Sequence, residues 1–313
     1  MFDIVGKRYW FFTLSGVLII LGIVAMIVST IQVGSPMRLS VDFTGGTLFE
    51  LRFDEPVAPG EVRQVFVERG YTDTSVQTTS DGRTALIRSK PIDPAEKVEI
   101  GVELREQFGP ADELRFESVG PTVGREVTRA AVVATLAAAI AILIFIIGAF
   151  RKVPKAGRYG VCAIVAMLHD ILVAAGFFAL MGLIAGWEVD ALFLTAILTV
   201  IGFSVQDTIV VFDRIRENIP KRRGEPFEVV VNRSLLETLH RSLATQLNAI
   251  FVLIAVLLFG GATMKQFVTV LLVGLLSGTY SSICNAVPLL VVWENGEIGK
   301  LFRRLFGRQP AAT

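Results

Sequence analysis

Six long apolar stretches constrain this chain of 313 residues more than any other feature. A helix needs roughly 20 apolar residues to cross the hydrocarbon core of a bilayer. We therefore predict six membrane-spanning helices, near Phe11–Ile31, Ala130–Phe150, Tyr159–Ile184, Ala191–Phe212, Ser242–Phe259 and Gln266–Trp293. The first stretch follows Lys7 and Arg8, as in a secretory signal, but it is longer than a signal core and no clear cleavage site follows it. We interpret it as a retained anchor.

The composition excludes several other classes of protein. Apolar residues make up 52% of the chain, charged residues 19%, and the mean hydropathy is +0.60, too apolar for an ordinary soluble domain. A net charge of +1 argues against a basic nucleic-acid binder and against an acidic disordered chain. Cys162 and Cys284 lie inside apolar stretches, and His169 and His240 are too few for a multi-histidine metal site. We expect an α-helical polytopic membrane protein with no metal, no cofactor and no enzymatic activity.

The basic residues of the short connections predict the orientation of the helices. Lys7 and Arg8 precede the first stretch, and most other loop and tail cations lie in 151–158, 213–241 and 300–308. The two short loops on the opposite side hold only Lys265. Because short cytoplasmic loops are enriched in Lys and Arg, we place both termini in the cytoplasm. The predicted organisation is 1–33 (first span), 34–124 (extracytoplasmic domain), 125–293 (five further spans with cytoplasmic loops 151–158 and 213–241) and 294–313 (cytoplasmic tail).

The polar segment 34–124 has the pattern of a small α+β domain. Its elements follow the order strand–helix–strand–strand–helix–strand, which is typical of a ferredoxin-like unit. Asp81-Gly82 predicts a hairpin turn, and Asp93 with Pro94 predicts the start of the second helix. We expect a binding or lever domain. The predicted elements are Thr47–Phe53, Pro59–Arg69, Ser75–Thr79, Arg83–Arg88, a helix from Pro94 with the apolar stripe Ile100, Leu104 and Phe108, and Glu113–Val119.

Asp207 is the only charged residue between Ala191 and Phe212. At 1.5 Å per residue it lies roughly 24 Å along that helix, in the cytoplasmic half. Ser204 lies one turn before it on the same flank, and Thr208 lies beside this pair. Ionisable groups at membrane depth are costly and usually mark a transport pathway.

Arg241, Thr245 and Asn248 form a second polar stripe, at the start of the fifth span. Both stripes lie toward the same leaflet, so a contact between Asp207 and Arg241 is geometrically possible, although the sequence does not show that it forms. Burial favours the neutral carboxylic acid and a nearby guanidinium favours the carboxylate, so moving the arginine would load and unload a proton. We therefore predict that Asp207 and Arg241 belong to a proton pathway. The alternative is a polar clamp that only holds helices together.

His169 and Asp170 form a second ionisable pair, roughly 15 Å into the third span and near the midplane. A relay step and an interhelical hydrogen-bonded pair explain them equally well. We keep both residues, with Ser204 and Thr208, as secondary pathway candidates. In the sixth span a stripe of small and polar residues indicates close helix packing rather than ligand binding. Its members are Gly274, Gly278, Ser281 and Asn285.

Charged residues follow the fourth span directly, at Asp213–Asn218, and Pro220 with Gly224-Glu225-Pro226 marks a turn. The next segment carries apolar residues at helical spacing, among them Phe227 and Leu235. This pattern predicts a solvated charged loop followed by an interfacial helix. The alternative is that the charges of Asp213–Asn218 dock on that helix.

Several motifs resemble those of the SecF family of bacterial protein-export membrane proteins. Any one motif is weak, but their order and spacing from about Val41 to Trp293 are specific. Gln206 and Phe203 differ from the Asn and Tyr expected at those positions. The matching motifs are a strand opening at Val41–Gly46, the entry to the second span at Gly120–Gly124, Leu168-His169-Asp170, the run Ile201–Thr208 through Asp213–Asn218, and Thr238–Arg241.

The resemblance implies a function. Proteins of this family belong to the resistance–nodulation–division superfamily and pair with SecD, which supplies the other half of a twelve-helix unit. The pair works with the SecYEG channel, and in many bacteria with YajC, in the inner membrane. It uses the proton-motive force to help pull preproteins across. The residues that match Asp207 and Arg241 are regarded as proton-pathway residues in this family, together with an acid from SecD.

Two other functions stay open on the sequence alone. The chain could be half of a proton-coupled exporter of small molecules or lipids, although a single outer domain of about 90 residues and six spans argue against a complete exporter. It could also be a structural scaffold, which would tolerate Asn in place of Asp207. Sodium is an alternative coupling ion, because the Asp207 carboxylate and the hydroxyls of Ser204 and Thr208 are oxygen ligands.

Overall fold

A computed structural model describes residues 3–79, 81–150 and 155–297. Within these residues, six helices are long and apolar enough to cross a membrane, and they match all six predicted spans. They are Val5–Val33, Pro121–Ala149, Ala156–Ala185, Ala191–Lys221, Phe227–Phe259 and Met264–Glu294.

The secondary-structure elements are numbered in chain order. The last membrane-length helix is interrupted by a π-helical turn at Ser282–Ala286. The elements are α1 (Arg8–Val33), α2 (Val41–Thr44), β1 (Gly46–Phe53), α3 (Pro59–Glu68), β2 (Ser75–Thr78), β3 (Thr84–Ser89), α4 (Pro94–Phe108), β4 (Ala111–Val119), α5 (Pro121–Ala149), α6 (Ala156–Ala185), α7 (Ala191–Lys221), α8 (Phe227–Phe259), α9 (Ala262–Ser281) and α10 (Val287–Glu294).

Leu39–Val133 together with Glu188–Ala191 form a small α+β unit, and the other described residues form a helical unit. The sheet of the α+β unit has the order β2-β3-β1-β4, and every neighbouring pair is antiparallel. This is the strand arrangement of the predicted ferredoxin-like unit. Alternate residues of β1 pack with α3 and α4 in one apolar core, which includes Phe49, Leu51, Phe53, Val62, Phe66, Ile100 and Leu104.

Local signals place α4 where the sequence predicts it. The Asp93 carboxylate accepts a hydrogen bond from the backbone N–H of Ala95, and Pro94 occupies the first helical position. Ile100 and Leu104 are fully buried, as the apolar stripe predicts.

The expectation of a strand opening at Val41–Gly46 is wrong in part. Val41–Thr44 form the helical turn α2, because the Ser40 hydroxyl caps it by accepting from the backbone N–H of Asp42 at 3.2 Å. The strand begins only at Gly46, where φ is +119°.

The prediction of a solvated loop at Asp213–Asn218 is also wrong, whereas the helix predicted before the fifth span is present as the first part of α8. Asp213–Asn218 belong to α7, which continues to Lys221. Since α8 begins at Phe227, only 222–226 connect the two helices. The buried amide of Asn218 donates to Ser234 Oγ and to Glu237 Oε2, both at 2.9 Å. These hydrogen bonds between α7 and α8 stabilise the helical conformation of Asp213–Asn218. Ile215 and Leu235, which lie close to the bonded residues in sequence, are buried as well. We call Asn218, Ser234 and Glu237 the hairpin clamp.

The shorter predicted loop is partly helical as well. In 151–158, residues 156–158 belong to α6, and 151–154 lie outside the described residues. The basic tail residues of 300–308 also lie outside the described residues.

Candidate functional site

Asp207 lies on the buried side of α7, with a relative exposure of 3%. Its Oδ2 accepts a hydrogen bond from Nε2 of Gln246 on α8 at 2.6 Å. None of the ion pairs among the described residues involves this carboxylate. A carboxylate without a cation in a low-dielectric interior is costly to keep ionised.

Arg241 lies on the exposed side of α8, and no ion pair joins it to Asp207. The remainder of its predicted stripe is exposed too: Thr245 bonds back to the Arg241 carbonyl at 3.0 Å, and Asn248 faces outward. The role of Arg241 in a proton pathway therefore stays a prediction.

The residues that face Asp207 from α8 are Ser242 and Gln246, which the sequence analysis missed. Each is 2% exposed. Ser242 lies near the carboxylate, but its Oγ forms no hydrogen bond with any described residue, and neither does Gln246 Oε1. Their i, i+4 spacing is the sequence signal that could have identified them. Ser242 directly follows Arg241, and Gln246 directly follows Thr245, both of which belong to the predicted stripe.

Asp170 on α6 is the second buried carboxylate, with no exposed surface. Its Oδ2 accepts from Ser204 Oγ of α7 at 2.6 Å and from Ser281 Oγ of α9 at 2.7 Å. Its Oδ1 accepts from Ser277 Oγ of α9 at 2.7 Å and pairs with His169 Nδ1 at 3.0 Å. We call these five residues the Asp170 cluster. The cluster links three helices through one side chain.

Ser204 and Thr208 do not hydrogen-bond the Asp207 carboxylate, although the sequence places them beside it. The Ser204 hydroxyl points to Asp170, and the Thr208 hydroxyl donates to the Ser204 carbonyl oxygen at 3.1 Å. The two polar sites therefore use neighbouring turns of α7 but separate partners.

The stripe on the sixth span packs closely, as predicted. A Cβ at Gly274 would overlap the Val200 side chain, and one at Gly278 would lie 3.3 Å from the Ser204 Cα. The polar members also form specific bonds: Ser281 with Asp170, and Asn285 Oδ1 with the Ser15 hydroxyl of α1 at 2.9 Å. Small residues thus bring α9 close enough for its serines to reach Asp170.

These features define a multi-pass membrane protein with two acidic side chains buried in its helical unit. Among the described residues, no three His, Cys, Asp or Glu side chains are grouped as a metal site.

Comparison with known proteins specifies the class further. Residues 100–296 match the family described as protein export membrane protein SecD/SecF, C-terminal, and residues 31–57 match the SecD/SecF GG motif. Protein translocase subunit SecF of Anaerolinea thermophila is 48% identical over 100% of both chains. The same subunit of Thermobaculum terrenum is 48% identical over 97% of this chain and 98% of its own.

A solved structure agrees with these relatives. The crystal structure of SecDF, a translocon-associated membrane protein from Thermus thermophilus, superposes with a TM-score of 0.77 at 31% identity. The match covers 94% of this chain and 39% of the SecDF chain. The chain therefore belongs to the SecD/SecF family and corresponds to its SecF members. The resemblance drawn from the sequence is confirmed, and the comparisons do not support the small-molecule or lipid exporter.

Proposed function

We propose that the chain is the SecF subunit of a complex that uses the proton-motive force to assist preprotein translocation. Its partners in this proposal are SecD, the SecYEG channel, YajC, the translocating preprotein and the lipid bilayer. The names of the full-length relatives and the likeness to SecDF support this assignment.

The observation that carries the proposal is the environment of Asp207. Its buried carboxylate has a neutral amide as its hydrogen-bond donor and no ion-pair partner among the described residues. Such a group takes up a proton readily and releases it when a cation or water approaches. Asp207 is therefore the residue that loads and unloads the proton.

We assign Asp170 a different role. Its four hydrogen bonds within the described residues satisfy the carboxylate and join α6, α7 and α9. His169, Ser204 and Thr208 support this framework, and the interhelical interpretation of the His169–Asp170 pair is the one that the contacts favour.

Arg241 supplies the mobile counter-charge in this proposal. It precedes Gln246 by five residues, which is roughly 7.5 Å along α8, about one and a half turns. To bring the guanidinium to Asp207 in place of the amide, α8 would have to move along α7 by that distance and turn by roughly 140° about its own axis, which requires the hydrogen bonds between the two helices to open. The arginine stays charged throughout and therefore favours proton release when it arrives.

The distribution of charge supports an inner-membrane location with both termini in the cytoplasm, because the basic loops lie on one side. The α+β unit is then extracytoplasmic and acts as the lever domain. A proton that crosses the field releases about 2.3 kcal/mol per 100 mV, enough to bias the equilibrium between two conformations.

The test is export into inverted vesicles that carry the assembled complex, under a pH gradient and separately under a sodium gradient. Asp207→Asn is expected to abolish the gradient-dependent part of export and to leave assembly with SecD intact. Asp213→Asn is the matched control, because Asp213 is half exposed and pairs with Arg216 at 2.6 Å. Normal export by Asp207→Asn would instead support the scaffold. Export driven only by the sodium gradient would show that sodium, and not the proton, is the coupling ion.

A further inference from the structure

Only one of the two polar groups of the Gln246 amide takes part in its hydrogen bond with Asp207. Nε2 donates to the carboxylate, while Oε1 is buried and accepts from no described residue. A buried acceptor without a donor costs free energy. The amide is therefore fully satisfied only if a further donor reaches it.

The chemistry of the acid supplies such a donor. An ionised carboxylate only accepts hydrogen bonds, so the atom of Gln246 that contacts it must be the NH2 group. A protonated carboxylic acid carries an O–H that needs an acceptor. Oε1 is that acceptor: Nε2 keeps its hydrogen bond to one oxygen of the acid while the O–H on the other oxygen donates to Oε1, so that both polar groups of the amide are paired.

The other polar groups around Asp207 leave this role to Gln246. On α7, the Ser204 and Thr208 hydroxyls are engaged elsewhere, and on α6 the His169–Asp170 pair belongs to the Asp170 cluster. On α8, Arg241 is exposed, and the Ser242 hydroxyl lies near the carboxylate but completes no hydrogen bond to a described residue. Among those residues Gln246 is the side chain that hydrogen-bonds the acid.

We infer that Gln246 is a positioning residue that follows the charge of Asp207, donating from Nε2 to the carboxylate and accepting at Oε1 from the protonated acid. The amide neither gains nor loses a proton. It keeps the acid hydrogen-bonded in both states, so that neither state is trapped. This inference rests on the proposed role of Asp207 in proton transfer.

The experiment compares Gln246→Met with Gln206→Met in the reconstituted complex. Gln206 is the neighbour of Asp207 on the exposed side of α7, which makes it a matched control. Gln246→Met removes the hydrogen bond to the carboxylate and the one from the protonated acid. The bond to the charged form is the stronger of the two, so the carboxylate loses more and the acid holds its proton to higher pH. The pH at half-maximal export is expected to rise by about one unit in Gln246→Met and to stay unchanged in Gln206→Met.

A spectroscopic measurement on the unsubstituted complex gives a second test that does not depend on folding of the variant. In infrared difference spectra between two pH values, a glutamine amide carbonyl band is expected to move together with the Asp207 acid band, and both changes disappear in Asp207→Asn.

The outcomes separate the two proposals. If Gln246→Met keeps the normal pH profile while Asp207→Asn abolishes export, the role of Gln246 is refuted and the proposed function stands. An amide band that stays fixed while the acid titrates also overturns the inference. If Asp207→Asn exports normally, the proposed function itself fails.

Discussion

Asp170 and Asp207 are both buried aspartates on neighbouring membrane-length helices, yet their surroundings differ. Asp170 accepts four hydrogen bonds from α6, α7 and α9, whereas Asp207 accepts one, from an amide on α8, among the described residues. Burial is nearly complete for both side chains and does not distinguish them. The number of donors does: a saturated carboxylate holds helices in place, and a sparsely bonded one is free to change its charge.

The strongest test of this difference removes each carboxylate in turn. Asp170→Ala leaves three serine hydroxyls and a histidine nitrogen without their acceptor, so the free energy of unfolding should fall by about 2–4 kcal/mol. Asp207→Ala leaves one amide unpaired and should cost less than about 1 kcal/mol. Unfolding of the detergent-solubilised protein in increasing denaturing detergent measures both. A larger loss of unfolding free energy in Asp207→Ala than in Asp170→Ala would contradict this difference between the two sites.

A smaller effect is expected from crowding the Asp170 cluster without removing a polar group. A Cβ at Gly278 would lie 3.3 Å from the Ser204 Cα and 3.6 Å from Asp170 Oδ2, whereas one at Gly202 meets nothing within 4 Å. Gly278→Ala should therefore be about 1 kcal/mol less stable than Gly202→Ala, which gains only the helix propensity of alanine. The same unfolding assay checks this pair, and equal stabilities would show that the cluster has room to adjust.

The smallest effect concerns a carboxylate beyond the last membrane-length helix, where water competes. Burial alone would raise the pKa of Glu297, but hydrogen bonds from Tyr9 and Arg8 outweigh it, so its pKa is lowered. Its contribution, about 0.5 kcal/mol, is present above the unfolded pKa of about 4.3 and is lost as pH falls through the lowered folded value.

Glu297→Gln should remove this part of the pH dependence, which unfolding curves between about pH 3 and 6 would measure. An undiminished acid sensitivity in Glu297→Gln would assign the effect to other carboxylates.

Local patterns in the sequence predicted the spans, the strand order and the start of α4, because hydropathy, apolar periodicity and capping residues act over short distances. They did not predict which neighbour each polar residue meets. Ser204 and Asp207 are three residues apart, or about 60° around the helix, and this small angle directs one toward α6 and the other toward α8.

The charged segment after the fourth span shows the same limit. Its charge content resembles that of a solvated loop, but Asn218 and Arg214 find partners on α8, with Arg214 Nε 2.6 Å from Glu237 Oε2. Such pairing depends on a return segment many residues away, so no local window of sequence contains it. For the same reason Gln246, rather than Arg241, emerged as the partner of Asp207 only from the structure.

The hairpin clamp has a mechanical consequence. Asn218 precedes the connection and lies eleven residues beyond Asp207, roughly 16 Å along α7. Because the hairpin clamp joins α7 and α8 at that end, the two helices can separate elsewhere by rotating about it. Opening them by about 5° would separate the tips near Asp207 and Gln246 by roughly 1.4 Å, enough to break a bond of 2.6 Å. A very small angular change at a distant pivot therefore suffices to release the acid.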